Sequence, residues 1–313
     1  MQPSGGIKLA YALAVLNAVI IGFSFLFAKI ALDYAQPLDT LMYRFAASFL
    51  GISIPVVVGL VKLNYRGKPI GKALLLSAMY PLGFFTLQAY GLQHTTAAEA
   101  GILYAFTPIV TMICASIFLK EVTNLGQKLS IFCSVFGVVF IFVMKGSGLN
   151  ISNITGISLL ILTCVSFAGY SVMARSLSKQ FSPAEISYMM LSTGFGVFLI
   201  VSLFTHMTSG TFEAMLTPLS QPLFLVSTLF LGLVSSLVTA LSSSYVLSKI
   251  AASQMSVFTN LSTIVTIAAG AMFLGEQITV YHIVGSLLIV AGVLGTQYYG
   301  GRAEAVPKLS ERV

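Results

Sequence analysis

Long apolar runs alternate with short polar breaks along the whole chain. Ten runs, near residues 9–32, 38–61, 73–92, 97–119, 126–144, 155–177, 184–206, 223–247, 252–274 and 279–299, each approach the length of one hydrocarbon crossing. A crossing needs about 20 mostly apolar residues. The breaks carry turn-forming residues, among them "DYAQPLD", "NYRGKP", "KGSGLNISN", "SKQFSPAE" and "TSGTFEAMLTPLSQP". The pattern predicts an all-α membrane protein with ten transmembrane helices. The first run follows Lys8 and is too long for the apolar core of a cleaved signal peptide, so it is read as the first membrane helix. Residues 301–313 read as a polar cytoplasmic tail.

Composition agrees with this pattern. Hydrophobic residues make up 57% of the 313 and charged residues 8%, against about 25% charged in soluble domains. So few charges could not cover a surface in water. The net charge of +7 would suggest nucleic acid in a soluble chain; here the basic residues flank apolar runs and act as topology signals. Ten crossings put both termini on one side, which receives thirteen Lys and Arg, while Lys29, Arg44 and Lys145 fall on the other. Positive charge marks the cytoplasmic side, so both termini are expected inside a bacterial cytoplasmic membrane. Cys114, Cys133 and Cys164 lie within apolar runs without metal-ligand spacing and are read as packing residues.

The chain also repeats itself. Residues 90–138 align without gaps on 245–293 with twelve identities, including Ile109/Ile264, Val110/Val265, Thr111/Thr266, Glu121/Glu276 and Gly137/Gly292. At an offset of 146, Pro37 matches Pro183 and Lys29 matches Arg175. The expected units are a five-helix repeat over 1–148 and a second over 149–300. An odd number of helices per repeat inverts the second relative to the first. Inverted repeats of this kind mark secondary transporters, with the site between the halves near the midplane.

Three segments carry a family resemblance. "LGEQITVYHIVGSLLIVAGVLG" (274–295) resembles the last helix pair of an EamA-type drug/metabolite transporter, and "YGLQHTTAAEAGILYAFTPIVTMICASIFLKE" (90–121) resembles the corresponding part of the first half. "QPLDTLMYRFAASFL" (36–50) is similar to the family's helix 2. The resemblance implies a ten-helix exporter or permease of small metabolites, with helices 1–4 and 6–9 around a central cavity and helices 5 and 10 peripheral. It fixes no binding motif. The chain has no tryptophan, so an aromatic cage would be built from Tyr and Phe.

Polar and aromatic residues inside apolar runs are the candidate substrate contacts: Asn17, Tyr80, Gln88, Tyr104, Thr107, Tyr170, Tyr245 and Asn260, with Ser171 and Tyr188 as further wall residues. An interfacial ring is the competing role for any single tyrosine. Pro81 and Pro108 fall inside expected helices, where proline permits a kink. The gate or coupling candidates are Lys29, Arg44, Glu99 and its repeat mate Gln254. Lys29, Arg44, His94 and Glu99 lie toward the face away from the termini, near Asp33 and Asp39, where opposite charges could form a gate. Alternatively Lys29 and Arg44 snorkel to headgroups, and Glu99 serves the dipole of a helix N-terminus. A buried Glu99 could also carry a coupling proton. Glu121 and Glu276 end their helices and read as structural.

The expected function is a secondary active transporter exporting amino acids or related small metabolites by alternating access, with a proton as candidate coupling ion. The alternatives are a carrier of choline-like cations and, in another class, a lipid scramblase. Neither HExxH nor a P-loop is present, and His94, His206 and His282 stand at expected helix ends without an acidic cluster, so an enzyme is not expected. The expected partners are a small-molecule substrate, the lipid bilayer and protons, with no cofactor and no nucleic acid. Nothing in the pattern sets an oligomeric state.

Overall fold

The computed structural model describes residues 4–94, 103–144, 154–274 and 277–305. Among these, nine helices are long and apolar enough to cross a membrane, and a tenth apolar helix is shorter. We label them α1 (Ser4–Leu32), α2 (Pro37–Val57), α3 (70–94), α4 (Thr107–Phe118), α5 (Leu125–Met144), α6 (Ile154–Leu177), α7 (Pro183–Ser209), α8 (Pro222–Lys249), α9 (252–274) and α10 (Val280–Ala305). The molecule is an all-α membrane protein built as two inverted five-helix repeats. Its exterior shows Leu50, Ile54, Phe132, Phe136, Phe204 and Leu294, while Ser48, Thr111, Ser134, Thr163, Ser187 and Thr296 are buried. This is the arrangement that lipid demands, because hydroxyls have no partners in hydrocarbon.

Packing runs across the halves. α1 lies against α8 and α9, and α6 lies against α3 and α4, which are the equivalent contacts of the other repeat. α2 packs on α7, α4 on α9 and α5 on α10, each helix on its own repeat mate. Within one half, α1 and α2 barely touch, and neither do α4 and α5. The α5–α10 contact is the most extensive in the molecule. It depends on Gly137 and Gly292, which are repeat mates: a Cβ on Gly137 would lie 2.7 Å from the Gly285 carbonyl oxygen, and one on Gly292 would lie 2.5 Å from the Ser130 carbonyl oxygen. Asn260 reinforces this side by donating from Nδ2 to Ser134 Oγ at 3.0 Å.

Four helices, α3 and α4 in one half and α8 and α9 in the other, are interrupted in matching places. α3 breaks at Tyr80, whose φ of −145° and ψ of 117° are extended, ahead of a cis peptide bond to Pro81. α8 widens into a π-helical stretch over Phe230–Val238, and the repeat offset of 155 carries 80–81 onto 235–236. α4 starts afresh at Thr107 after a turn at 105–106, and α9 turns at 259–260 between Ala252–Phe258 and Leu261–Leu274. Pro108 therefore does not kink a continuous helix, as the sequence suggested; it sits in the first turn of α4, where the missing N–H costs no helical bond. The expected 97–119 helix can be judged only from residue 103 onward. The polar segment before α8 is also more ordered than the sequence suggested, holding a short helix, Phe212–Leu216, and a 3-10 turn, Thr217–Ser220.

The glycine contact yields a direct test. Gly292→Val should lower the thermal unfolding midpoint in detergent, corresponding to about 1–3 kcal/mol of overpacking. An exposed control on the lipid face, Leu294→Val, should leave the midpoint nearly unchanged.

Candidate functional site

Two of the helix interruptions, at Tyr80 and Thr259, face a cavity between the two halves. α1, α3, α6, α8 and α9 line it, and its volume is about 40 Å3. Asn17 comes from α1, Tyr80 from α3, Phe167 and Tyr170 from α6, and Thr239 and Ser243 from α8. Asn17 is held firmly: its Nδ2 donates to Ser243 Oγ at 3.0 Å, and its Oδ1 accepts from the Ser242 hydroxyl. One wall is aromatic. Tyr80 stacks on Tyr170 with ring centroids 4.8 Å apart and continues into Phe84 at 5.1 Å and Phe85 at 5.3 Å.

Beyond Tyr80 stands Arg44. The sequence placed this residue at a gate or among headgroups; it is instead buried and turned inward from α2. Its Nε donates to Ser236 Oγ at 2.6 Å and its Nη2 to Ser235 Oγ at 3.1 Å, both on the widened turn of α8. The guanidinium carbon lies 4.5 Å from the centroid of Phe85, and Tyr80 is within its electrostatic reach. α2 comes this close because Gly232 lacks a side chain: a Cβ there would stand 2.6 Å from the Arg44 carbonyl oxygen. A guanidinium has five N–H donors. Among the described residues no carboxylate lies within ion-pair distance of this one. The repeat mate of Arg44 is Met190, so the positive charge belongs to one half alone.

The remaining candidates separate into groups. Tyr104 lies behind the aromatic wall, its ring 6.2 Å from that of Phe84, with Gln88 and Thr163 beside it. Thr107, which is buried, faces Cys164 on α6. Tyr245 is away from the cavity: its hydroxyl approaches the Gly6 carbonyl at 3.5 Å, and Lys249 Nζ lies 5.7 Å over its ring. Asn260 points to α5, as described above. Gln254 stands at the end that carries the termini, where its Oε1 accepts the Ala251 N–H at 3.2 Å and caps the start of α9. Glu121 serves the same helix start, accepting from the N–H of Ala252 at 3.0 Å and from the Ser253 hydroxyl at 3.0 Å. Glu99, Glu276 and the side chain of Lys29 lie outside the described residues, and His94 is exposed.

Two acid–base pairs that sequence reading missed tie α7 to the first half, one to α2 and one to the loop that follows α2. Asp39, expected in a loop, occupies the first turn of α2 and binds His206 Nε2 at 3.0 Å. That histidine was expected to stand without an acid. At the other end Lys68 Nζ reaches Glu185 Oε2 at 2.6 Å. Glu185 also accepts the N–H of Asn64 and of Ser182. Tyr65 donates to the Glu185 carbonyl at 2.9 Å, and burial, with Glu185 nearby, pushes its phenol up to about 12. The one available signal for the Asp39 pair was the repeat itself, since Asp39 and Glu185 are 146 residues apart.

The EamA-like transporter family model matches residues 8–143 and 154–298. The chain is 42% identical over 287 residues to the uncharacterized transporter YcxC of Bacillus subtilis (strain 168), covering 92% of each protein. It is 25% identical over 188 residues to the S-adenosylmethionine/S-adenosylhomocysteine transporter of Chlamydia muridarum (strain MoPn / Nigg), covering 57% of this chain and 58% of that one. A solved crystal structure shares the fold with a TM-score of 0.77 at 13% identity, over 97% of this chain and 100% of its own.

The environment of Arg44 makes a prediction about stability. A buried ion can be exchanged for an apolar side chain at little cost, whereas removing its partners is expensive. Arg44→Met should unfold at or above the wild-type temperature. The double variant Ser235→Ala, Ser236→Ala should unfold lower, by an amount corresponding to about 1–3 kcal/mol. Thermal unfolding of the three proteins in one detergent checks both.

Proposed function

The chain belongs to the EamA-like transporter family, and from that premise we propose that it exports amino acids or related small metabolites through the central cavity. It is an integral membrane transporter and not an enzyme. The observation that carries the finer reading is the pairing of unlike chemistries at Tyr80. On one side lies a stack of rings suited to a planar or apolar body; on the other lies a buried guanidinium with no carboxylate partner among the described residues. Burying such a charge costs several kcal/mol, and an incoming carboxylate offsets that cost. A bidentate carboxylate is the natural complement of a guanidinium fork.

Choline-like cations fit the rings but are repelled by Arg44, so the anionic reading is preferred. The cargo named for the Chlamydia relative joins an amino-acid carboxylate to a planar purine, the same combination. The architecture supports alternating access, in which two inverted halves exchange roles about a site between them. Interrupted helices supply the places where they bend. The distribution of basic residues supports termini on the cytoplasmic side, and export would then run from the terminal face to the other. Asn17 and Tyr170 line the path.

Matched ligand pairs test this reading. L-Phenylalanine, S-adenosylhomocysteine, L-phenylalaninamide, choline and adenosine are added to purified protein, and thermal unfolding is followed. A ligand present at about 100 times its Kd stabilises the folded state by about 2.7 kcal/mol. Carboxylates should shift the midpoint more than their amide or alcohol counterparts, and Arg44→Met should abolish the difference. A choline response that survives Arg44→Met would favour the cation carrier. A flat screen, followed by lipid movement in reconstituted vesicles, would favour the scramblase. Efflux from vesicles loaded with the responding ligand decides the direction.

A further inference from the structure

Asp39 and Glu185 hold equivalent positions in the two halves, in the first turns of α2 and α7. α2 and α7 pack together across the boundary between the halves. The start of each helix meets the end of the other, so the two acids sit at opposite ends of one seam. Both acids are buried, and each is held by a basic side chain from the other half. Both pairs are closed in this structure. The partners differ: lysine stays charged throughout the physiological range, whereas imidazole as a class exchanges its proton near neutrality.

The surroundings of the histidine pair accommodate both protonation states. Asp39 Oδ1 accepts from the Ser202 hydroxyl at 2.5 Å, and Nε2 of His206 lies 3.1 Å from Oδ1 and 3.0 Å from Oδ2. Nδ1 lies 2.8 Å from the Thr211 hydroxyl, which can donate to a neutral ring or accept from a charged one. Among neighbouring groups, Tyr43 stands one turn along α2 from Asp39, within electrostatic range of it, and its hydroxyl donates to the Met215 carbonyl at 2.7 Å. The part of α8 packed on α2 there, Pro222–Leu229, has no ionisable side chain. Glu213 on the short helix and Asp33 at the end of α1 are exposed, and Arg44 is turned to Ser235 and Ser236.

We propose that Asp39 and His206 form a proton-binding latch, which controls opening of the α2–α7 seam at the face away from the termini. When the seam is parted and hydrated above about pH 6.5, the pair is a carboxylate and a neutral imidazole. Closing removes water from the carboxylate, whose charge then needs a partner. The imidazole takes one proton from hydronium, leaving water, and the closed pair is a carboxylate beside an imidazolium with no net charge. Opening returns that proton to water. The closed latch thus holds one proton more than the open one above about pH 6.5. It is strongest at low pH, and its opening equilibrium rises with pH by at most about tenfold per unit. The Lys68–Glu185 end exchanges no proton and does not respond.

The experiment is hydrogen–deuterium exchange on the full-length protein in detergent from pH 5.5 to 8.5, corrected for intrinsic amide chemistry. It needs no substrate, so its failure leaves the transport reading untouched. Peptides spanning 39–45 and 202–211 should lose protection as pH rises, by at most about tenfold per unit, while those spanning 62–68 and 183–189 stay level. His206→Lys should remain protected at both ends and show no pH dependence, copying the lysine latch. Should that variant fail to fold, Asp39→Asn must also give a level profile. A level wild-type profile at the histidine end overturns the proposal. So does an equal rise at both ends, or a pH dependence that persists in either variant.

Discussion

Hydrocarbon offers no hydrogen bonds, and the architecture follows from that absence. Every hydroxyl, amide and charge on a membrane-facing helix must find a partner within the protein. Many of the buried serines and threonines solve this locally: Ser77, Thr163, Ser171 and Thr296 donate to the carbonyl four residues back. Others join different helices, as Ser48 does in reaching the Gly232 carbonyl at 3.0 Å and Asn17 does with Ser242 and Ser243. These links occur where a small residue lets backbones approach. Small residues and polar cross-links together replace the hydrophobic drive that associates helices in water.

The two halves repeat a fold but not a chemistry. Where one half breaks a helix with Tyr80 and Pro81, the other widens it around Ser235 and Ser236. Where one has Arg44, the other has Met190. Where one closes the seam with lysine on Glu185, the other closes it with histidine on Asp39. Repetition provides two states of similar packing. The differences between repeat mates are what allow a substrate or a proton to favour one of them.

Much of this was legible in the residues. Crossing length is a property of local composition, so ten apolar runs became ten helices, and the gapless match through Gly137 and Gly292 marked the inverted repeat. Asn17, Tyr80 and Tyr170 were picked out as polar or aromatic interruptions in apolar runs, and all three line the cavity. Orientation was harder to read. Arg44 lies near the end of its run, where snorkelling or a gate would both be reasonable, and only the approach allowed by Gly232 turns it onto α8. Tyr245 and Asn260 interrupt their runs just as Asn17 does, yet they face other helices. The Asp39–His206 pair spans 167 residues, and its formation depends on which helices become neighbours. No local pattern encodes that.

The exchange of partners between halves also bears on how the protein is made. α1 rests on α8 and α9, and α3 rests on α6, so the helices inserted first have their main neighbours still to be synthesised. Asn17 and Arg44 enter the bilayer long before Ser242, Ser243, Ser235 and Ser236 exist to receive them. During translation the first half is therefore a set of separate spans with polar faces open to lipid, and it becomes a folded object only when the eighth and ninth spans arrive. Biogenesis of such a chain calls for shelter along the way, and a ribosome stalled near the midpoint leaves spans with little to hold them together.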